Sequence, residues 1–262
     1  MLDQRFLDAV KPLLAVGMGT ENMAWLLYSL IRLTRPRFVL EVGLGYTTPF
    51  LLKALADNTQ EWREDLDTLR SARHLDARRD LLLPGHFVKP YRPKLIAIDD
   101  FSSAGSSAAR VLETVKQLAL ESFLTQIEGD FRGRSEFIDE TYKPFDLVWF
   151  DCGGPEEYIA FLREYWSQCS PQCLVALHFT YQWQEVVTGK DRQTGTDIAL
   201  APGAVLAEIK RQHVKAGVDA HFEILSVVEP HKTRQGSVTL LRRQFDLQAA
   251  AAQSLDGTFL LD

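Results

Sequence analysis

Short apolar runs alternate with amphipathic stretches along most of this chain. The runs predicted as buried strands are 38–43, 95–99, 123–130, 145–151, 173–179, 221–228 and 237–243. Helical spacing of apolar residues predicts helices over 3–16, 20–34, 47–56, 105–120, 158–168 and 203–216. Five strands alternate with helices, and then two follow each other across a loop that contains Pro230 and Gly236. This order predicts an α/β fold with a mostly parallel seven-stranded sheet and one antiparallel strand.

No internal repeat or long linker divides the chain. We therefore expect one core domain over 37–243, an N-terminal helical cap over 1–36 and an Ala-rich tail over 244–262. Residues 60–80 mix charges of both signs, which indicates a solvated helix, and 81–93 carry three prolines and a glycine. We expect about 58–93 to form an inserted lid and 184–202 to form a loop.

Composition narrows the possible partners. Lys and Arg number 29 against 35 Asp and Glu, for a net charge of −6, whereas a nucleic-acid surface needs a clustered basic face. The three cysteines form no CxxC pair, and reduced thiols are typical of a cytoplasmic protein. No secretion signal or bilayer-spanning segment is recognisable. We expect a cytoplasmic protein without nucleic-acid or membrane partners, and leave a homodimer open.

Residues suited to ligand binding follow four successive predicted strands. Glu41-x-Gly43-x-Gly45 ends the first, Asp99-Asp100 the second, Asp130 with Phe131 the third, and Asp151 the fourth. Ligands of open α/β sheets bind beyond these carboxyl ends, and glycines let the backbone approach a ligand closely. Acids here could accept ribose hydroxyls or an adenine amino group, and Phe131 could lie against the adenine ring.

Four motifs resemble those of the class I S-adenosylmethionine-dependent methyltransferases. They are VLEVGLGYTT, LIAIDD, IEGDF and FDLVWFD, and the resemblance covers about residues 38–243. It implies the Rossmann-like fold of that family, with S-adenosylmethionine as cofactor and S-adenosylhomocysteine as product. Thr47 stands where the family's first motif has a third glycine, a replacement that small-molecule O-methyltransferases tolerate. The 58 residues from Glu41 to Asp99 imply an insertion of about 35 residues relative to a compact unit.

The resemblance also implies roles for individual residues. Glu41, Gly43 and Gly45 would line the methionine part of the cofactor, beside Thr47. Asp99 would bind the ribose, with Asp100 as the competing acid, and Asp130 would bind the adenine. Phe131 and Asp151 complete the candidate cofactor-binding residues. Each has a structural alternative, since these acids could cap helices or face solvent in turns.

Two other functions stay open at this point. The first is an NAD(P)-binding oxidoreductase, although Gly43-x-Gly45-x-x-Thr48 lacks the third glycine of the dinucleotide motif and Asp99 follows much later than the usual ~20 residues. The second is a non-catalytic binding protein with the methyltransferase fold.

Asp151 and His178 are the candidate catalytic residues. They close the fourth and fifth predicted strands, which are neighbours in the family's fold, and an Asp-oriented His is a common general base. The alternative is a buried structural histidine beside a structural acid. Metal-dependent family members use further carboxylate or amide ligands after the fifth strand, where this chain has LHFTY. We therefore expect no metal.

Aromatic residues near the strand ends suggest the kind of acceptor. The candidate substrate-binding residues are Trp25, Tyr91, Tyr181 and Trp183, although such residues also occur in cores. Their surroundings contain few Lys or Arg residues, which favours an uncharged aromatic or heterocyclic small molecule. We expect methylation at oxygen in preference to nitrogen, in secondary metabolism.

Overall fold

A seven-stranded sheet forms the centre of the described chain. The computed structural model describes residues 2–15, 18–71, 77–101, 106–153, 155–186, 197–215, 222–229 and 236–243. The helices are α1 (Gln4–Val10), α2 (Glu21–Thr34), α3 (Thr48–Arg70), α4 (Ala108–Gln117), α5 (Pro155–Tyr165) and α6 (Ala204–Lys215). The strands are β1 (Phe38–Val42), β2 (Lys94–Asp99), β3 (Leu124–Glu128), β4 (Phe145–Phe150), β5 (Cys169–His178), β6 (Tyr181–Val186), β7 (Asp197–Pro202), β8 (Phe222–Val228) and β9 (Ser237–Arg243). The predicted tail over 244–262 lies outside the described residues.

The strand order confirms the predicted topology. It is β3-β2-β1-β4-β5-β9-β8, with β9 antiparallel to both of its neighbours. The chain crosses from β1 to β2 and β3 on one side, and then returns to β4 and β5 on the other. The carboxyl ends of β1 and β4 therefore flank the point where strand order reverses, which is where open α/β sheets bind ligands.

Apolar side chains cover both faces of this sheet. On one face, Leu27 of α2 and Leu51 of α3 pack in the same cluster as Leu147 of β4. On the other, Phe161 of α5 packs with Val148 of β4. Each such fully buried side chain contributes about 1.5–3 kcal/mol to stability. The two clusters therefore stabilise the sheet, which fixes the positions of the loops that follow its strands. No helix among the described residues is long and apolar enough to cross a membrane.

The segment expected as a lid lies at the wrong end of the sheet for that role. Residues 48–70 form one continuous helix, which runs back from the carboxyl end of β1. At 1.5 Å per residue α3 is about 35 Å long, roughly twice the span of a five-residue strand, so it extends past the sheet. The chain then returns through Tyr91, whose hydroxyl donates to the Pro36 carbonyl 2.8 Å away, just before β1. The described residues of 58–93 therefore do not form a lid over the carboxyl ends of the strands.

The region 184–202, expected as a loop, contributes two strands. β6 and β7 pair in an antiparallel two-stranded sheet that includes Tyr181↔Pro202 and Val186↔Asp197. Sequence periodicity missed them because a two-stranded ribbon needs no continuous apolar run, only cross-strand backbone hydrogen bonds.

Candidate active site

A cavity of about 670 Å³ lies beyond the carboxyl ends of β1, β2, β3 and β4. This volume is within the usual range for small-molecule sites. Residues that follow the four strands line it: Gly43, Gly45, Asp99, Asp100, Asp130, Phe131 and Asp151. The N-terminal cap lines another part of it, through Leu13, Ala15, Met18 and Thr20. The structure thus brings together residues that are separated by more than 100 positions in sequence.

Glycine is favoured at the two positions after β1 for different structural reasons. Gly43 has a φ of +96°, and a Cβ there would lie 2.5 Å from the Asp151 backbone oxygen. This close approach lets the chain cross directly beside the end of β4. A Cβ on Gly45 would meet nothing within 4 Å, so the absence of a side chain there leaves the cavity open.

Glu41 is fully buried beneath the glycine loop. Thr47 Oγ1 donates to Glu41 Oε1 at 3.0 Å and accepts from Trp149 Nε1 at 3.1 Å. Glu41 Oε2 has no hydrogen-bond partner among the described residues. Burial, with smaller contributions from the Asp151 and Asp99 carboxylates, raises the pKa of Glu41 to about 8, although nearby threonine hydroxyls oppose the shift. Thr47 therefore binds this acid and does not cap α3 through its side chain.

Asp99 joins β2 to the glycine loop. Its Oδ2 accepts from the Leu44 backbone N–H at 2.7 Å, and its Oδ1 accepts from the Phe101 backbone N–H at 2.8 Å. A carboxylate has about four acceptor positions, so two remain for hydroxyl groups of a ligand. Asp100 is more exposed and also borders the cavity.

Asp130 is held by a cation that sequence reasoning missed. Arg132 Nη1 lies 2.9 Å from Asp130 Oδ2, and the same guanidinium contacts Glu157. Its Cζ lies 4.8 Å from the centre of the Phe131 ring. The Arg directly after the GDF motif was the available signal, because a cation two positions from an acid in a turn can pair with it.

Phe131 is largely buried and also borders the cavity. The ring packs edge-on against Phe150, with centroids 5.3 Å apart, and near Phe161. Only 4% of Phe131 is exposed, although it borders the cavity. The two neighbouring rings therefore fix Phe131 at the edge of the cavity, and its contact with adenine stays a prediction.

Asp151 and His178 contact each other at the ends of β4 and β5. His178 Nδ1 lies 2.7 Å from Asp151 Oδ1. The side chain of Asp151 is 28% exposed and that of His178 only 2%. Asp151 lines the cavity, whereas His178 lies behind it with its ring centroid 5.2 Å from that of Trp149. The order is thus the reverse of the expected one, in which His178 meets the acceptor and Asp151 supports it.

Cys152, the next residue, also lines the cavity. Burial, helped by the Asp151 carboxylate, raises the pKa of its thiol to about 12. The thiol therefore stays protonated at neutral pH and is a poor nucleophile. Among the described residues, no three His, Cys, Asp or Glu side chains are grouped to hold a metal ion.

The candidate substrate residues are scattered. Tyr91 lies at the opposite end of the sheet, buried against Pro36, so its assignment to a substrate site is wrong. Trp25 packs on Phe50 of α3, with ring centroids 5.8 Å apart, and does not line the cavity. Tyr181 begins β6, where its backbone N–H donates to Ser237 Oγ at 2.9 Å. The side chain of Trp183 lies outside the described part of the structure.

Among comparisons with known proteins, only the solved structures match this chain, and they do so over nearly its whole length. No family model matches it, and no curated protein is similar enough to be matched. A solved structure of a putative O-methyltransferase from Klebsiella pneumoniae is 16% identical, with a TM-score of 0.55 over 94% of this chain and 92% of that one. The O-methyltransferase TomG from Streptomyces achromogenes, solved in complex with SAM, is 19% identical, with a TM-score of 0.53 over the same shares. An O-methyltransferase from Bacillus cereus in complex with SAH is 12% identical, with a TM-score of 0.56 over 93% and 92%. These likenesses and the strand order show that this chain has the Rossmann-like fold of the class I methyltransferases.

Proposed function

We propose that this protein is an S-adenosylmethionine-dependent methyltransferase. The observation that carries the proposal is the convergence of all four strand-end motifs on one cavity at the switch point of the sheet. The O-methyltransferases of the same fold that were solved with SAM or SAH support it. We further propose a small aromatic or heterocyclic acceptor, methylated at oxygen in preference to nitrogen, and a place in secondary metabolism.

The residues present fit this cofactor. Asp99 accepts hydrogen bonds from the backbone N–H groups of Leu44 and Phe101, and its two remaining acceptor positions are available for two ribose hydroxyls. Glu41 is fully buried beneath the loop that would hold the methionine part and does not line the cavity, so it would act by supporting that loop through Thr47. Gly45 leaves the space above the loop open. Asp130 would bind the adenine amino group, sharing its carboxylate with Arg132.

The chain's main contribution to the reaction is positioning. S-adenosylmethionine, when bound, supplies a methyl carbon that an oxygen nucleophile attacks in line while the carbon–sulfur bond breaks. Asp151 faces the cavity and takes the proton of the acceptor hydroxyl. An ionised carboxylate only accepts hydrogen bonds, so His178 Nδ1–H is the donor to Oδ1, which leaves Oδ2 for the acceptor.

The cap provides the environment for an apolar acceptor. Leu13 and Met18 contribute apolar side chains to the wall, and Thr20 contributes a small one. Arg110 and Arg132 line the cavity beside the residues that follow β2 and β3, where the cofactor's ribose and adenine would lie. The apolar wall formed by the cap favours an uncharged small acceptor over a nucleic acid, because both arginines lie where the cofactor would bind.

Titration of the purified chain with S-adenosylhomocysteine and with NADH, followed by calorimetry and thermal melting, tests the proposal. We expect S-adenosylhomocysteine to bind at micromolar strength and to raise Tm, because a ligand that binds only the native state stabilises it by RT ln(1 + [L]/Kd). NADH should do neither. Binding of NADH alone would indicate an oxidoreductase, and binding of neither ligand would indicate a non-catalytic protein.

A further inference from the structure

An exposed apolar loop lies far from the candidate active site. This loop, residues 79–92, leads back towards β2 from the end of α3. Leu81, Leu83 and Val88 are 83%, 55% and 78% exposed. A contiguous apolar surface commonly marks an interaction site, and three large exposed aliphatic side chains within eight residues of one loop favour such a surface here.

Three contacts hold the 79–92 loop in place. Phe87 stacks on Trp62 of α3, with centroids 5.9 Å apart. Tyr91 donates to the Pro36 carbonyl at 2.8 Å, and Arg37 Nη1 donates to the Pro90 carbonyl at 3.3 Å. The loop therefore uses its aromatic residues for anchoring and presents its aliphatic residues to solvent.

Four cations lie in or beside the 79–92 loop, which Arg37 joins through its hydrogen bond to the Pro90 carbonyl. Lys89, Arg92 and Arg37 are exposed, and Arg79 is half-buried. None of them forms an ion pair in the part of the chain that the structure describes. Asp80 is the one acid within residues 79–92, and Asp146 lies beside Arg37, whose backbone N–H donates to Asp146 Oδ2 at 2.9 Å, so the four cations outnumber these two acids. The net charge of −6 does not cancel this local positive charge, because charges beyond about 8 Å are largely screened at physiological ionic strength.

We propose that the 79–92 loop is a peripheral docking site for an anionic lipid surface. Its protruding aliphatic side chains would enter the boundary between headgroups and acyl chains, while the flanking cations pair with lipid phosphates and carboxylates. The sequence suggested no membrane partner because no segment can span a bilayer, but surface association needs none. The site is independent of the proposed methyl transfer, and docking would leave the cavity, at the other end of the sheet, facing away from the lipid.

A second copy of the chain is the less suitable occupant. A symmetric dimer contact places the same patch on both sides of the interface. Lys89, Arg92 and Arg37 would then face their own counterparts, and like charges across an interface oppose association. An anionic surface removes that repulsion.

Co-sedimentation of the full chain with vesicles tests the proposal. One set of vesicles is phosphatidylcholine alone, and the other contains phosphatidylserine as well. We expect at least about tenfold stronger association with the second set, weakened by added salt. The triple variant Leu81→Ser, Leu83→Ser, Val88→Ser and the double variant Lys89→Glu, Arg92→Glu should each lower this association about tenfold or more. Val227→Ser on β8 and Lys210→Glu on α6 change exposed residues of the same kinds in other parts of the molecule and should leave it unchanged.

Two results would overturn the proposal. One is equal association of the wild type with both vesicle sets, or association with neither. The other is a wild-type dimer in size-exclusion chromatography that the triple variant dissociates while vesicle binding is absent, which would identify a second copy as the occupant. Thermal melting of each variant and S-adenosylhomocysteine binding verify that the fold and the distant cavity are intact.

Discussion

His178 Nδ1 lies 2.7 Å from Asp151 Oδ1, and the imidazole is the more buried of the two groups. A carboxylate at the cavity wall with a histidine behind it reverses the usual arrangement, in which a carboxylate orients a histidine that meets the substrate. In this protein the structure gives Asp151 access to the cavity and places His178 where it can orient that carboxylate.

This relationship predicts different results for two substitutions of His178. His178→Ala removes the donor to Oδ1, and His178→Asn places an amide N–H near the same position. If His178 positions Asp151, Asn should restore most of the kcat that Ala loses, whereas Asp151→Asn should cost about 10²–10⁴ in rate because the proton acceptor is gone. Affinity for S-adenosylhomocysteine should change little in all three. Equal loss of kcat in His178→Ala and His178→Asn would show instead that the imidazole itself takes the proton.

Gly43 and Gly45 should respond differently to alanine. Gly43→Ala places a Cβ 2.5 Å from the Asp151 backbone oxygen at a φ of +96°, so we expect a loss of about 3 kcal/mol or more in the free energy of unfolding. Gly45→Ala meets no atom within 4 Å and should change stability by less than about 1 kcal/mol, while its methyl group fills part of the cavity and weakens S-adenosylhomocysteine binding. Urea unfolding and calorimetry measure the two effects. Similar stability of the two variants would contradict the loop geometry.

The buried Glu41 predicts a stability that falls as pH rises. Its pKa is about 8 in the folded protein against a reference of 4.5, so the folded state binds more protons between these values. Stability then decreases by up to about 1.4 kcal/mol per pH unit through this window, and the contribution is fully present only below about pH 4.5. Glu41→Gln removes this dependence, so its stability relative to wild type should increase from pH 5 to pH 8. Glu113→Gln, at an exposed acid on α4, is the matched control. If the difference in stability between Glu41→Gln and the wild type did not change with pH, the raised pKa of Glu41 would be contradicted.

Asp99 should be required for cofactor affinity. Asp99→Ala removes a charged acceptor and should weaken S-adenosylhomocysteine binding by roughly 1–3 kcal/mol. The variant also loses the hydrogen bonds to Leu44 and Phe101, so its melting temperature must be measured alongside. Asp100→Ala, at the adjacent exposed acid, serves as the comparison. Unchanged affinity in Asp99→Ala would refute its assignment to the ribose.

Methyl transfer should survive EDTA. A hard cation such as Mg²⁺ or Ca²⁺ needs several oxygen ligands. At and after the end of β5 the side chains near Asp151 are those of His178 and Thr180. His178 is hydrogen-bonded to Asp151, and Thr180 Oγ1 accepts from Thr239 Oγ1 at 2.7 Å, so neither adds the carboxylate ligands that such a cation needs. Loss of activity that Mg²⁺ alone restores would show that Asp151 is a metal ligand.

The sequence by itself determined the mostly parallel sheet with one antiparallel strand and the edge of the sheet that bears the site. Parallel strands with helical crossovers place all their carboxyl ends at one edge, so Gly43, Asp99, Asp130 and Asp151 could be assigned there from their positions after strands. The resemblance to the methyltransferase family implied that Asp151 and His178 are neighbours, because they lie at the ends of strands that are adjacent in that family's fold.

Only the tertiary structure decided which way these side chains face and where the inserted segment lies. Whether Asp151 or His178 is exposed depends on the packing of Trp149, and the burial of Phe131 depends on Phe150, neither of which a linear pattern encodes. The uninterrupted length of α3 carries the segment with Tyr91 past the far end of the sheet. Periodicity reports that a residue is apolar or polar, but the neighbours that bury or expose it come from distant parts of the chain.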